Sequence, residues 1–158
     1  MPVLSLDQAV VFVSDQRRSG QTIVFTNGVF DLVHIGHTRY LRQARRLGDV
    51  LIVGVNSDSS VRALGKGVDR PVTPQHDRAE LLAGFSCVDA VVIFDEPTPE
   101  PLIARLLPDI LVKGSDWQGR ENPGQKLIEG RGGSMKFIPV EMGYSTTSIL
   151  EQIKKSRA

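Results

Sequence analysis

Two of the chain's three histidines stand three residues apart in Asn27-Gly28-Val29-Phe30-Asp31-Leu32-Val33-His34-Ile35-Gly36-His37. On a helix that spacing stacks both imidazoles on one face of the first turn. The unpaired N–H groups and partial positive charge of a helix start suit a phosphate. Gly36 carries no side chain and allows a ligand to approach closely. Asn27, Gly28 and Asp31 suit the tight turn that leads in. The chemistry open to this set is anion binding and charge stabilisation. Two plainer readings compete with it. One is a metal held by His34, His37 and Asp31, short of the four ligands structural zinc usually takes. The other is a pair of satisfied histidines with no chemistry.

Further cations and hydroxyls follow in the chain. Lys113 ends the apolar stretch 109–113 and is either a second cation at the same edge or a solvated strand-end lysine. Lys66 and Arg70 lie in a Gly-rich, Pro-bounded loop that can fold over phosphates or simply stand in solvent. Gly65-Lys66 is followed by Gly67, with no Ser or Thr and no correctly spaced upstream Gly, so this is not a P-loop. Arg78 is a weaker phosphate candidate, weighed against a solvated helix face. Ser145-Thr146-Thr147 puts three adjacent hydroxyls at a helix start, which makes a second anion cradle or an ordinary cap. Asp31 and Asp58 each follow an apolar run, where a carboxylate can take a ribose or cap a turn, and Asn56 stands beside Asp58.

These residues need elements to position them. Gln21–Thr26, Val50–Val55, Ala90–Phe94, Asp109–Lys113 and Met135–Val140 read as strands. His34–Leu47, Asn56–Leu64, Pro74 or Gln75 to Phe85, Pro99–Leu107, a short Gly124–Glu129 and Ser145–Lys155 read as helices. Continuous apolar strands alternating with helices predict an α/β fold: a doubly wound parallel sheet in a three-layer α/β/α sandwich. Such folds bind ligands beyond the carboxyl ends of their strands, which is where all the candidates fall. The segment Gln118–Gly133 reads as a lid or an ordinary loop. Cys87 is expected to pack near Phe85 and Val88, and His76 to stand at the surface.

Composition narrows the partners. The 158 residues fit one domain, taken as 1–158 with its core at about 21–154. Nineteen basic and 18 acidic side chains leave +1, so Arg39, Arg42, Arg45 and Arg46 read as a solvated helix face, from which Arg39 or Arg42 can still reach a ligand, and no nucleic-acid track is expected. The single Cys87 excludes an intrachain disulfide and a Cys-rich zinc site. Apolar runs such as Ala9–Val13 and Val50–Val55 fall far short of the roughly 20 residues a membrane helix needs. With no secretory signal visible, the default compartment is the cytoplasm.

Asn27-Gly-Val-Phe-Asp31 followed by His34-Ile-Gly-His37 resembles the HxGH nucleotidyltransferases, a family with a Rossmann-like fold. Within it the chain most resembles the heptose 1-phosphate adenylyltransferases. The landmarks, all in order, are Gly54–Asp58, Gly65-Lys-Gly67 with Arg70-Pro71, Asp95–Pro99, Pro108–Gly114 and Ser145-Thr-Thr147. The resemblance implies transfer of AMP from ATP to D-glycero-D-manno-heptose 1-phosphate, with Mg2+ held mainly by the phosphates. It implies catalytic roles for His34, His37 and Lys113. Nucleotide contacts are implied for Asn27, Gly28, Phe30, Asp31, Gly36, Asn56, Asp58, Ser145, Thr146 and Thr147. Phosphate or sugar contacts are implied for Lys66, Arg70, Arg78, Asp116 and Trp117, with half-buried packing as the other reading of Trp117. In many relatives this domain follows a sugar kinase, for which this chain has no room, so a stand-alone form is expected. Dimers are common in related enzymes, which leaves a homodimer open. The rival readings are a cytidylyltransferase acting on glycerol 3-phosphate or a similar alcohol phosphate, and a nucleotide-binding module without turnover.

Overall fold

The computed structural model describes residues 2–65, 69–141 and 143–156. Six strands form one sheet: β1 (Val3–Leu4), β2 (Ile23–Gly28), β3 (Val50–Asn56), β4 (Ala90–Phe94), β5 (Ile110–Gly114) and β6 (Ser134–Ile138). Their order is β1-β4-β3-β2-β5-β6, and every pairing is parallel. The helices are α1 (Leu6–Arg18), α2 (Ile35–Arg45), α3 (Asp58–Ala63), α4 (Gln75–Ala83), α5 (Glu100–Leu106), α6 (Gln125–Glu129) and α7 (Thr146–Lys155).

Alternation along the strands builds two cores, because successive side chains point to opposite faces. Ile23, Phe25, Val50, Ile52, Ala90, Val92 and Leu111 face α1, α5 and α6 through Ala9, Val13, Leu102, Ile103, Leu106 and Ile128. Val24, Leu51, Val53, Val55, Val91 and Val112 face α2 and α4 through Leu41, Ala44, Ala79, Leu82 and Ala83. Both faces are covered, so the strands carry apolar residues without a polar alternation. The doubly wound parallel sheet expected from the sequence is the architecture observed.

The N-terminal unit was not among the sequence-based expectations. β1 has two residues, too few for a period, yet it pairs with β4 at the sheet edge. α1 carries a capping box in which Ser5 and Gln8 satisfy each other's backbone N–H groups. Ser5-x-x-Gln8 before an apolar run was the readable signal. The stretch 118–133 contains α6, the short helix expected at 124–129. Ile128 of α6 is buried in the core, and a Cβ on Gly124 would come within 2.8 Å of Ile103. Cys87 and Phe85 pack against the second core, and His76 is exposed.

β2 lies between β3 and β5, so the chain's winding reverses between β2 and β5. A crevice at the carboxyl ends of these two strands is where a doubly wound sheet takes its ligand.

Candidate active site

β2 delivers Asn27 and Gly28 to this crevice, and β5 delivers Lys113 and Gly114. The Nζ of Lys113 donates to Asn27 Oδ1 at 2.5 Å, and stands 5.1 Å from the centre of the Trp117 ring. Trp117 belongs to a 3-10 turn, Ser115–Trp117, directly after β5, and is 38% exposed at the rim. Thr26, one residue inside, donates to Val112 O at 3.0 Å and shares a 2.8 Å hydrogen bond with the Tyr40 hydroxyl. That pair ties β2, β5 and α2 together behind the crevice. Burial, more than any other influence, pushes the Tyr40 hydroxyl's pKa up, so it stays protonated.

The turn from β2 into α2 is tightly made. Phe30 holds φ +49°, a left-handed value uncommon outside Gly. Its ring lies over Gly28, where a Cβ would meet Phe30 Cε2 at 3.1 Å. His34 caps α2 and His37 follows in the first turn. Their rings stack at 3.8 Å with 22° between planes, while Phe30 sits 5.2 Å from the His37 ring. The His34 backbone N–H points at His37 Nδ1 at 3.4 Å, which leaves the neutral ring's proton on Nε2 as a donor. Burial, with the stacked His34 adding to it, pushes the His37 pKa down to about 4. Burial also lowers that of His34. Both rings are therefore neutral donors at neutral pH in the free chain.

Gly36 also has a structural use. A Cβ there would stand 3.0 Å from His34 Nδ1 and 3.3 Å from Tyr144 Cβ. The glycine makes room for the His34 ring, and it also lines the first cavity described below. His34 Nδ1 is buried and has no hydrogen-bond partner among the described residues.

Two cavities open at this edge. The first, about 400 Å³, is lined by Asn27, Gly28, Phe30, His34, Gly36, His37, Lys113, Asp116, Trp117, Ser145 and Thr146 among others. The second, about 440 Å³, is lined by Val29, Phe30, Asp31, His37, Arg70, Thr146 and Thr147. His37, Phe30, Val29 and Thr146 border both. Fourteen of the expected site residues thus come together on one edge, although they span positions 27–147 of the sequence. α7 brings Thr146 in by its first turn, and Ser145 caps it by accepting from Ser148 N at 3.0 Å. Capping and cavity lining coexist there.

Three expected contacts go elsewhere. Arg78 is wholly buried, neither a solvated face nor part of either cavity wall. Its guanidinium donates to Val29 O at 2.6 Å, Thr73 O at 2.9 Å and Asp58 Oδ1 at 2.7 Å. Asp58 is occupied by that ion pair and lines neither cavity. Asn56 is buried with its amide on Ser60 Oγ at 3.0 Å. Asp31 borders the second cavity but is spoken for: its oxygens accept from Val72 N, Thr73 N and Arg70 Nε. Lys66 lies outside the described residues. Residues outside the expected site also line the first cavity, among them Arg39, one of the two helix arginines expected to be able to reach a ligand. Tyr40 and Gln43 do so, as do Arg39 and Glu141, which pair at 2.5 Å across the rim. Tyr40 reads as a core position by helical spacing, and nothing in the sequence marks Glu141. Arg42 and Arg46 are exposed, as a solvated face requires.

No helix among the described residues is long and apolar enough to cross a membrane. No three His, Cys, Asp or Glu side chains among the described residues converge on a metal position. The edge gathers neutral imidazole donors, a lysine, hydroxyls and two helix starts, a set suited to anions.

The wider comparisons agree with this chemistry. The chain is 53% identical over 138 residues to the bifunctional protein HldE of Syntrophotalea carbinolica, which covers 87% of this chain. It is 51% identical over 139 residues to the protein of the same name from Helicobacter pylori, covering 88% of the chain. The chain spans only 28% and 29% of the length of these two relatives. Among solved structures, a lipopolysaccharide core biosynthesis protein from Thermoplasma volcanium superposes with a TM-score of 0.64 at 31% identity, covering 77% of this chain and 98% of that one. Pantoate-beta-alanine ligase from Francisella tularensis shares the fold, with a TM-score of 0.60 at 14% identity over 99% of this chain and 79% of its own. The sequence model described as Cytidylyltransferase-like matches residues 25–152, from β2 into α7. With that match over most of its length and paired imidazoles at the first βα junction, the chain belongs to the cytidylyltransferase-like family of HxGH nucleotidyltransferases.

Proposed function

We propose that the chain transfers AMP from ATP to D-glycero-D-manno-heptose 1-phosphate, giving ADP-heptose and pyrophosphate. An oxygen of the sugar phosphate forms a bond to the α-phosphorus. The bond from that phosphorus to the bridging oxygen of the β-phosphate breaks, and pyrophosphate leaves with the electron pair. The nucleophile is an anion at neutral pH, so no general base is needed. The work left to the protein is placing two anions together and stabilising charge on the transferred group.

The observation that carries the reading is the position of His37, which borders both cavities. An in-line displacement needs the attacking and leaving groups on opposite sides of one phosphorus, and a donor at the junction of two cavities can serve it throughout. His34 and Lys113 line the first cavity with it. Trp117 and Tyr144 border that cavity too, and their rings suit a nucleoside base. The choice of a heptose phosphate rests on the resemblance to the heptose 1-phosphate adenylyltransferases, and the likeness to the bifunctional HldE proteins and to a lipopolysaccharide core biosynthesis protein supports it. With no carboxylate cage among the described residues, Mg2+ would be held by the triphosphate and would supply charge neutralisation there.

The test is pyrophosphate release with each of the four NTPs, paired with heptose 1-phosphate and with glycerol 3-phosphate. Turnover with ATP and the heptose phosphate is expected. Release only with CTP would overturn the adenylyl assignment, and tight nucleotide binding without release would favour a binding module.

A further inference from the structure

We infer that Tyr40 is a positioning residue for the transfer step. Its hydroxyl, bonded to Thr26, fixes α2 against the two strands at which the sheet's winding reverses, and so holds the His37 imidazole in a set place relative to Lys113. The inference deepens the reading above, since it rests on His37 serving as a donor to the transferred phosphoryl group.

Thr26 and Val112 are register partners across β2 and β5, and each stands one residue before a member of the Asn27–Lys113 pair. Thr26 is fully buried. Its hydroxyl donates to Val112 O at 3.0 Å and lies 2.8 Å from the Tyr40 hydroxyl. A threonine hydroxyl has one hydrogen and two lone pairs. With that hydrogen given to Val112 O, the Tyr40 O–H is the donor to Thr26 Oγ1. The hydrogen bonds therefore run one way, from α2 through β2 to β5. The Tyr40 hydroxyl is spent in that chain and is no proton donor to a ligand.

The other holds on α2 are of a different kind. Leu41 and Ala44 pack on the sheet, and Arg45, at the far end of the helix from His37, pairs with Asp89 at 3.0 Å. Apolar packing has no direction, so it resists a slide or rotation of the helix weakly. A hydrogen bond has a short range and a preferred angle. Tyr40 follows His37 by three residues, which puts the two on one face of α2, one turn apart. A rotation of α2 large enough to displace His37 must break the bond to Thr26. His37, Tyr40 and Lys113 line the first cavity together, so this bond spans from the helix that carries the imidazole to the strand that carries the lysine.

Two measurements on the full chain test this. The first is steady-state kinetics with ATP and whichever acceptor phosphate supports turnover. Tyr40→Phe keeps the ring and removes only the hydroxyl. Its kcat is expected to fall about tenfold, the scale for a small misplacement near reacting atoms. KM for ATP should stay within about twofold, as for an interaction realised in the transition state. Thr26→Val should show the same split, and Thr26→Ser, which keeps a hydroxyl, should retain most of the rate that Thr26→Val loses. In a His37→Ala background Tyr40→Phe should cost less than about a further twofold, because the group it positions is gone. Unchanged kcat in Tyr40→Phe, or an equal loss with and without His37, overturns the proposal. The second measurement needs no turnover. The imidazole signals of the ring-15N-labelled free chain are followed by NMR. Tyr40→Phe is expected to shift those of His37 and to leave those of the exposed His76 in place. Unmoved His37 signals overturn the proposal. Absence of wild-type turnover with every acceptor would defeat the substrate assignment alone, and the imidazole signals would then decide the role of Tyr40.

Discussion

The ammonium of Lys113 sits 2.5 Å from Asn27 Oδ1, joining the carboxyl ends of the two strands at which the winding of the sheet reverses. Neither residue holds its place alone. The amide oxygen draws the cation over the mouth of the first cavity, 5.1 Å from the Trp117 ring centre. Lys113→Ala should therefore lower kcat/KM for ATP by about 10²-fold, the scale for one transition-state donor. Asn27→Ala, which removes this hydrogen bond and keeps the lysine, should cost less. Pyrophosphate release measures both, and thermal midpoints close to wild type would show that the fold is intact. Unchanged kinetics in Lys113→Ala would remove the lysine from the reaction.

His34→Ala and His37→Ala should each lower kcat by about 10²-fold or more. Because the rings stack at 3.8 Å and act on one charge, the double variant should lose less than the product of the two single losses. Single-turnover rates at saturating ATP separate these cases. Near-normal turnover in both single variants would end the proposed role.

Acidification should weaken the fold through His37. Its ring titrates near 6.5 when unfolded and at about 4 when folded. Between those values the unfolded chain binds more protons, so stability rises with pH across that window. The contribution is full above pH 6.5 and is lost as pH falls towards 4. Denaturant midpoints at pH 7.5 and pH 5 should differ less in His37→Asn than in wild type. An equal difference in both would place the acid sensitivity elsewhere.

Arg78→Met should be a stability variant. The guanidinium it removes ties Thr73 O, Val29 O and Asp58 together in a fully buried position. Losing one partner of such a cluster costs about 3 kcal/mol. Urea denaturation should show that loss, while KM for ATP in the surviving folded protein changes little. A large KM effect with unchanged stability would return Arg78 to the list of ligand contacts.

Gly36→Ala should act on geometry. The new methyl would stand 3.0 Å from His34 Nδ1, so the ring must give way by a few tenths of an ångström against its stack on His37. A shift of that size near reacting atoms is expected to lower kcat by about tenfold or more. Thermal melts should move little, since Gly36 is only half-buried. Wild-type kcat in this variant would mean that the stacking of His34 is dispensable.

What the residues alone determined was local. Apolar runs bounded by Gly, Pro and Asn marked β2 to β6, and caps and helical spacing marked α2 to α7, mostly within two residues of their observed ends. The His34-Ile-Gly-His37 pair was legible because its spacing and its place after an apolar strand both lie within a dozen residues. The reading missed β1 and α1, the first being too short to show a period. The tertiary structure alone decided which polar groups face a ligand and which face one another. Asp58 and Arg78 meet across 20 positions of sequence, Asp31 and Arg70 across 39, and Asn27 and Lys113 across 86. Spacing carries no record of such distances. A charge buried during folding must find a partner or remain beside water, and only the packed chain shows which outcome each one met.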